Sequence, residues 1–228
     1  MELFDRAQLI RTSRWLFVPR TCTVFYVPFR NQHMMRSSLP TSHGFVPLDS
    51  QRKKIFHPVL VSESTNAFVS QFEFTGTIDN APMLCISAAL QFRDEVCGGE
   101  EKIRAYRYKL AEKGEQKISE MLGTKPLAVP KGARVSFANV FLPLQVAAAR
   151  RPHSEGSIPI EDVPEVMEFF NRKLVEDYNC FMPVTFYKGA WMARISAEIY
   201  LDMDDFVYGA EVLKKLCERI RKLEYKAK

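Results

Sequence analysis

Three stretches carry residues able to do chemistry. The first is T-S-R-W-L-F-V-P-R, residues 12–20, in which Arg14 stands ahead of a run of aromatic and β-branched residues. An amine at position 14 would be able to condense with an aldehyde. A guanidinium, protonated at every usable pH, cannot. The second is F-T-G-T-I-D, residues 74–79, where Gly76 and Thr77 come just before a helix start. The third is W-M-A-R-I-S-A-E-I-Y, residues 191–200, centred on Arg194. Each also has an ordinary reading. Arg14 fits a surface arginine at a strand entry, and Thr75-Gly76-Thr77 fits a loop into a helix. Arg194 fits an ion pair with Glu198 or Asp202 across a hairpin end.

The totals exclude several function classes. The 228 residues suffice for one large domain or two small ones. With 46% hydrophobic and 26% charged residues, a folded core is expected. The net charge of +5 is mild, and acids alternate with bases in the tail E-R-I-R-K-L-E-Y-K-A-K. That pattern is a solvated helix end, so no nucleic-acid partner is expected. Cys22, Cys85, Cys97, Cys180 and Cys217 are scattered and never form C-x-x-C. They fit a reducing, cytoplasmic setting without disulfides or a zinc site. His33, His43, His57 and His153 are dispersed, with no H-E-x-x-H, so no metal is expected. No apolar run of about 18 residues suggests a membrane span. M-E-L-F-D-R lacks the order of a signal peptide.

The elements that must position the three stretches follow from pattern. Trp15–Val18 and Thr23–Val27 read as a hairpin turning at Pro19-Arg20-Thr21. Residues 29–60 are polar and irregular, and a short helical piece is expected over Glu63–Phe72. Asp79 or Asn80, with Pro82, opens a helix running to about Val96, with Leu84, Ala88 and Phe92 on one face. Cys97-Gly98-Gly99 ends it. Glu100–Leu122 is a second helix, with Ile103, Tyr106, Leu110, Ile118 and Met121 at helical spacing. Gly123 and Pro126 close it, and a domain boundary falls between Leu122 and Ala133, giving domains 1–124 and 125–228. The second domain reads as a strand over Arg134–Leu144, an exposed loop over Arg150–Gly156 and an amphipathic helix over Ile160–Tyr178. A hairpin about Lys188-Gly189 follows, then a last helix from Asp204-Asp205 carrying Val212, Leu213, Leu216 and Ile220. That order is a two-layer α+β arrangement.

In this order and at these separations the three stretches resemble the C-terminal half of the pyridoxal-phosphate (PLP)-dependent enzymes of aminotransferase class V. The nearest likeness is to the isopenicillin N epimerase-like branch. Phe25-Tyr26-Val27-Pro28, Arg30-Asn31-Gln32-His33, Pro40-Thr41-Ser42-His43-Gly44-Phe45 and Lys188-Gly189 through Tyr200 share in the likeness. The resemblance implies an α/β fold of the fold type I PLP-dependent transferase kind, truncated. It would hold the last strands and helices of a large domain plus a small C-terminal α+β domain. It also implies PLP at a dimer interface. Position 14 matches the lysine that holds the cofactor, here Arg14, and the family's Pro-Arg-Gly turn is Pro19-Arg20-Thr21. Gly76 and Thr77 match the pair that reaches the cofactor phosphate across the dimer. There a close backbone and a hydroxyl donate to an anion near a helix start. Arg194 matches the arginine that grips the substrate α-carboxylate as a bidentate fork. Where the family carries an Asn after the last Tyr of this strand, the sequence has Leu201.

The resemblance therefore implies an aminotransferase-like or epimerase-like protein acting on an amino acid in a specialised biosynthetic pathway. The group also includes lyases and desulfurases. The family's N-terminal half, with its phosphate loop and ring-nitrogen Asp, is not matched, and with Arg14 in the lysine's place the chain is expected to be inactive alone. The alternative is a non-catalytic pseudoenzyme that dimerises with a full-length homologue and regulates it. A cofactor-free protein binding a carboxylate through Arg194 is a third reading. The expected partners are an amino-acid-like small molecule and a homodimer or heterodimer mate.

Overall fold

In the computed structural model, residues 8–10, 15–20, 22–34, 68, 79–130, 132–147 and 157–226 are described. They fall into two compact units, Met1–Val96 and Cys97–Lys228.

In the first unit, β1 (Gln8–Ile10) pairs antiparallel with β2 (Val24–Tyr26), with Leu9 opposite Phe25. The expected first strand, Trp15–Val18, is not a strand. Phe17 has φ 63°, a left-handed conformation that a bulky residue rarely adopts and that no strand accommodates. A 3-10 turn covers Phe29–Met34. Of the expected helix over Glu63–Phe72, only Phe68 lies within the described residues, and it is helical. α1 (Ala81–Glu95) starts where Asp79 Oδ1 accepts from the Ala81 N–H at 2.9 Å, with Pro82 in its first turn. Its buried positions are Ala89 and Arg93. The apolar face carrying Leu84 and Phe92 is exposed: Leu84 is 81% accessible and Phe92 43%. Ala89 packs with Val18 and Cys22, and Ile86 lies against them.

The second unit is built around a sheet ordered β3-β7-β6, all antiparallel. β3 is Phe137–Phe141, β6 Val184–Tyr187 and β7 Ala190–Ser196. α2 (Glu100–Leu122) comes before the sheet and ends at Gly123, whose φ of 64° is the left-handed cap that glycine takes without strain. It buries Ile103, Leu110 and Ile118 as expected, whereas Tyr106 stays half-exposed, its hydroxyl donating to Leu201 O at 2.6 Å. Between β3 and β6 lie a short parallel pair, β4 (Val146–Ala147) with β5 (Ile158–Pro159), and then α3 (Val163–Glu176). The pair has no periodic signal in sequence. The loop expected over Arg150–Gly156 lies outside the described residues.

α4 (Met203–Arg221) opens with a capping box. Asp202 Oδ1 accepts from the Asp204 and Asp205 N–H groups, and Asp205 Oδ2 accepts from the Asp202 N–H at 2.9 Å. The start is therefore set by Asp202, one turn position before the acidic pair expected to set it. Val212, Leu213, Leu216 and Ile220 of α4 join Val166, Phe169, Phe170 and Leu174 of α3 on the sheet. Trp191, 1% exposed, sits among them, 5.1 Å from the Phe186 ring and 6.2 Å from that of Phe170. Each such fully buried large side chain contributes roughly 1.5–3 kcal/mol. At the far end Tyr225 and Lys226 both fasten to the buried Asp162, at 2.7 and 2.8 Å.

Candidate functional site

Strand alternation sorts the sheet into two faces. On β7, Trp191, Ala193 and Ile195 enter the helix-covered core. Met192, Arg194 and Ser196 therefore occupy the opposite face. On β3, Ala138 and Val140 enter the core, which puts Phe137, Asn139 and Phe141 opposite. The register sets Asn139 directly across from Arg194, Phe137 across from Ser196 and Phe141 across from Met192.

The two-residue turn at Lys188-Gly189, with φ of 49° and 80°, sets the pairing of β6 with β7. The Arg194 N–H donates to Pro183 O at 2.9 Å, away from β3, and Asn139 O accepts from the Leu127 N–H at 2.8 Å, away from β7. Asn139 and Arg194 thus form a non-hydrogen-bonded pair, the cross-strand position at which side chains come closest, with Cα atoms about 4.5 Å apart.

The Arg194 guanidinium lies 5.5 Å from the centroid of the Phe137 ring. Its Nε is buried and has no hydrogen-bond partner among the described residues. Buried donors are almost always satisfied, so an orphaned one at a half-buried guanidinium calls for an acceptor. Neither ion pair open to Arg194 in the sequence forms. Glu198 is engaged by Arg107 at 3.2 Å, and Asp202 caps α4. Arg107 also donates through Nε to Ala197 O at 3.3 Å, holding the end of β7 against α2.

Of the four predicted site residues, the structure locates Arg194. Arg14, Gly76 and Thr77 lie outside the described residues. In the first unit, the segment following position 14 is held by α1. Buried Arg93 donates through Nη1 to Trp15 O at 2.8 Å, its guanidinium lies 4.6 Å over the Phe17 ring, and that ring meets Phe92 edge-on at 6.3 Å. Sequence reading missed both Arg93 and Asn139. Arg93 looked like one polar residue of an amphipathic helix, and Asn139 acquires its neighbour only through the register.

The sheet face opposite the helices offers a carboxylate a guanidinium whose buried Nε has no partner among the described residues. Of the residues that β3 and β7 place on it, Phe137, Asn139, Phe141, Met192, Arg194 and Ser196, none is a lysine; Lys125, paired beside Phe141, stands at its edge. Lys188 sits in the turn, with Nζ 5.3 Å from the Tyr187 ring. This donor set fits an amino acid's carboxylate. Among the described residues no group of His, Cys, Asp or Glu is gathered for a metal, and no helix is long and apolar enough to cross a membrane. All five cysteines are free thiols.

No family model matches the chain. It is 39% identical over 221 residues to the L-cysteine desulfhydrase-like protein lolT1 of Epichloe uncinata, covering 91% of this chain and 49% of that protein. It is 33% identical over 206 residues to the hercynylcysteine sulfoxide lyase of Schizosaccharomyces pombe, covering 90% of this chain and 44% of that one. The chain thus spans about half the length of the curated relatives it matches. Among solved structures it superposes on Oryza sativa TDC with PLP at a TM-score of 0.52 and 16% identity, over 95% of this chain and 36% of the other.

Proposed function

From a chain whose fold is that of the fold type I PLP-dependent enzymes, we propose that it supplies the carboxylate-binding part of an amino-acid-processing site. Arg194 is the residue that grips the α-carboxylate of the substrate. Gly76 and Thr77 hold the phosphate of PLP across an interface, as the class V resemblance implies. Two relatives are named for cysteine or a cysteine sulfoxide. Their names favour a sulfur-bearing amino acid as substrate, and lyase-type cleavage over amino transfer or epimerisation, in a specialised pathway of the cytoplasm. The observation that carries the reading is the half-buried Arg194 guanidinium, whose buried Nε lacks a partner among the described residues.

Two properties of Arg14 bear on activity. A guanidinium neither tethers an aldehyde nor accepts a proton at working pH, so this chain brings no base at that position. Together with the exposed apolar residues Leu84 of α1 and Val96 just after it, this favours a second reading: a non-catalytic subunit that pairs with a full-length homologue. Co-expression of the two separates the readings. Recovery of a mixed dimer supports the second, and two species that never co-elute remove it.

The primary reading is tested by calorimetric titration of the purified chain with S-methyl-L-cysteine. Saturable binding is expected. Arg194→Ala should weaken it at least tenfold, the scale of one or two charge-assisted hydrogen bonds at about 1.5–3 kcal/mol each. Arg194→Lys should retain part of it, because the charge stays while the fork is lost. Unchanged affinity in Arg194→Ala overturns the reading.

A further inference from the structure

We propose that Asn139 is a second ligand-contacting residue of this site, its carboxamide N–H donating to the same carboxylate that Arg194 grips. The inference rests on the reading of Arg194 as a carboxylate fork.

Three observations carry it. Asn139 and Arg194 are direct partners in the β3–β7 register. Their backbone hydrogen bonds point away from each other, to Leu127 and Pro183, which makes theirs the closely spaced kind of cross-strand pair. Both residues are half-buried on the sheet face opposite the helices, and the buried Nε of Arg194 has no hydrogen-bond partner among the described residues. A carboxylate presents about four lone-pair sites, and an arginine fork fills two. The carboxamide of Asn139 is placed to fill a third without adding charge. It also fixes the tilt of the carboxylate plane, and through it the direction of the bonds at the substrate α-carbon.

The test compares S-methyl-L-cysteine with its α-amide, by calorimetry on the full chain and three variants. Asn139→Ala should weaken binding of the acid about tenfold, the worth of one hydrogen bond to a charged group, and that of the amide less. Asn139→Asp is the same size but sets a carboxylate beside Arg194, so it should shrink the acid-to-amide preference further, with the melting temperature kept near that of the parent. Arg194→Ala serves as the control. If it removes the preference while Asn139→Ala and Asn139→Asp leave it intact, the role given to Asn139 is wrong and the Arg194 reading stands. Equal losses for acid and amide in the Asn139 variants mark a purely structural role and also overturn it. If Arg194→Ala keeps the preference, the site reading itself fails.

Discussion

At the scale of single residues, Gly114 shows how little slack the contact between α2 and α4 leaves. A Cβ there would lie 2.3 Å from Cδ1 of Phe206, a ring that is itself buried in the core. Alanine is the better helix former by about 1 kcal/mol, but the ring has nowhere to go. Gly114→Ala should therefore destabilise the second unit by roughly 1–3 kcal/mol despite the propensity gain, as read by urea denaturation. A gain in stability would show that Phe206 repacks freely. Arg194 illustrates the limits of local reading. Its residue type and its place on a strand were legible, whereas its freedom from Glu198 was not, because Arg107, far away in sequence on α2, takes that carboxylate. The same holds for Asn139, whose significance depends on which residue the register sets across from it.

Among the elements, those with strong periodicity and clear end signals were readable. α2, α3 and α4 bury the side chains their 3.6-residue spacing nominates, and the β6–β7 hairpin turns where Lys188-Gly189 demands. One element was misread: Trp15–Val18 has a strand's composition, yet Arg93 reaches its Trp15 carbonyl across 78 positions of sequence. With the buried guanidinium on the Trp15 carbonyl and over Phe17, the segment bends through a left-handed residue, and α1 turns Ala89 and Arg93 inward instead of Leu84. Arg93→Met keeps the bulk and drops the donor. It should cost about 1–3 kcal/mol through the stranded Trp15 carbonyl and speed amide exchange over residues 15–18. Protection unchanged there would show that Phe17 and Phe92 suffice. At the start of α4, Asp202→Ala removes half of the capping box and should cost about 1 kcal/mol in the same denaturation assay. A smaller loss than for an exposed control helix position would mean that Asp205 caps alone.

For the molecule as a whole, acid is the condition that exposes its electrostatic ties. The Arg219 guanidinium, followed by Lys173, holds the Asp177 carboxyl below the usual carboxylate range. Its folded value is lower than its unfolded one, so its contribution is complete above the unfolded value and disappears as pH falls through the folded one. Stability should decline on acidification, and Arg219→Gln should flatten that part of the decline; an identical pH slope would exclude the pair as a contributor. In the alkaline direction the tail behaves differently. Burial, and then the neighbouring Asp162, push the Tyr225 phenol above its ordinary value, so it remains a neutral donor throughout the range in which the protein is handled. The Cys217 thiol, pushed up to about 12 by burial, stays protonated there too.

The turn at Lys188-Gly189 has a consequence for timing. Two residues admit few alternative offsets between β6 and β7, the strands they join, so the strand that carries Arg194 is in place before any guest arrives. Little ordering is left to be done on arrival. Stopped-flow traces should then show a single phase whose rate climbs linearly with guest concentration, without the plateau left by a preceding rearrangement.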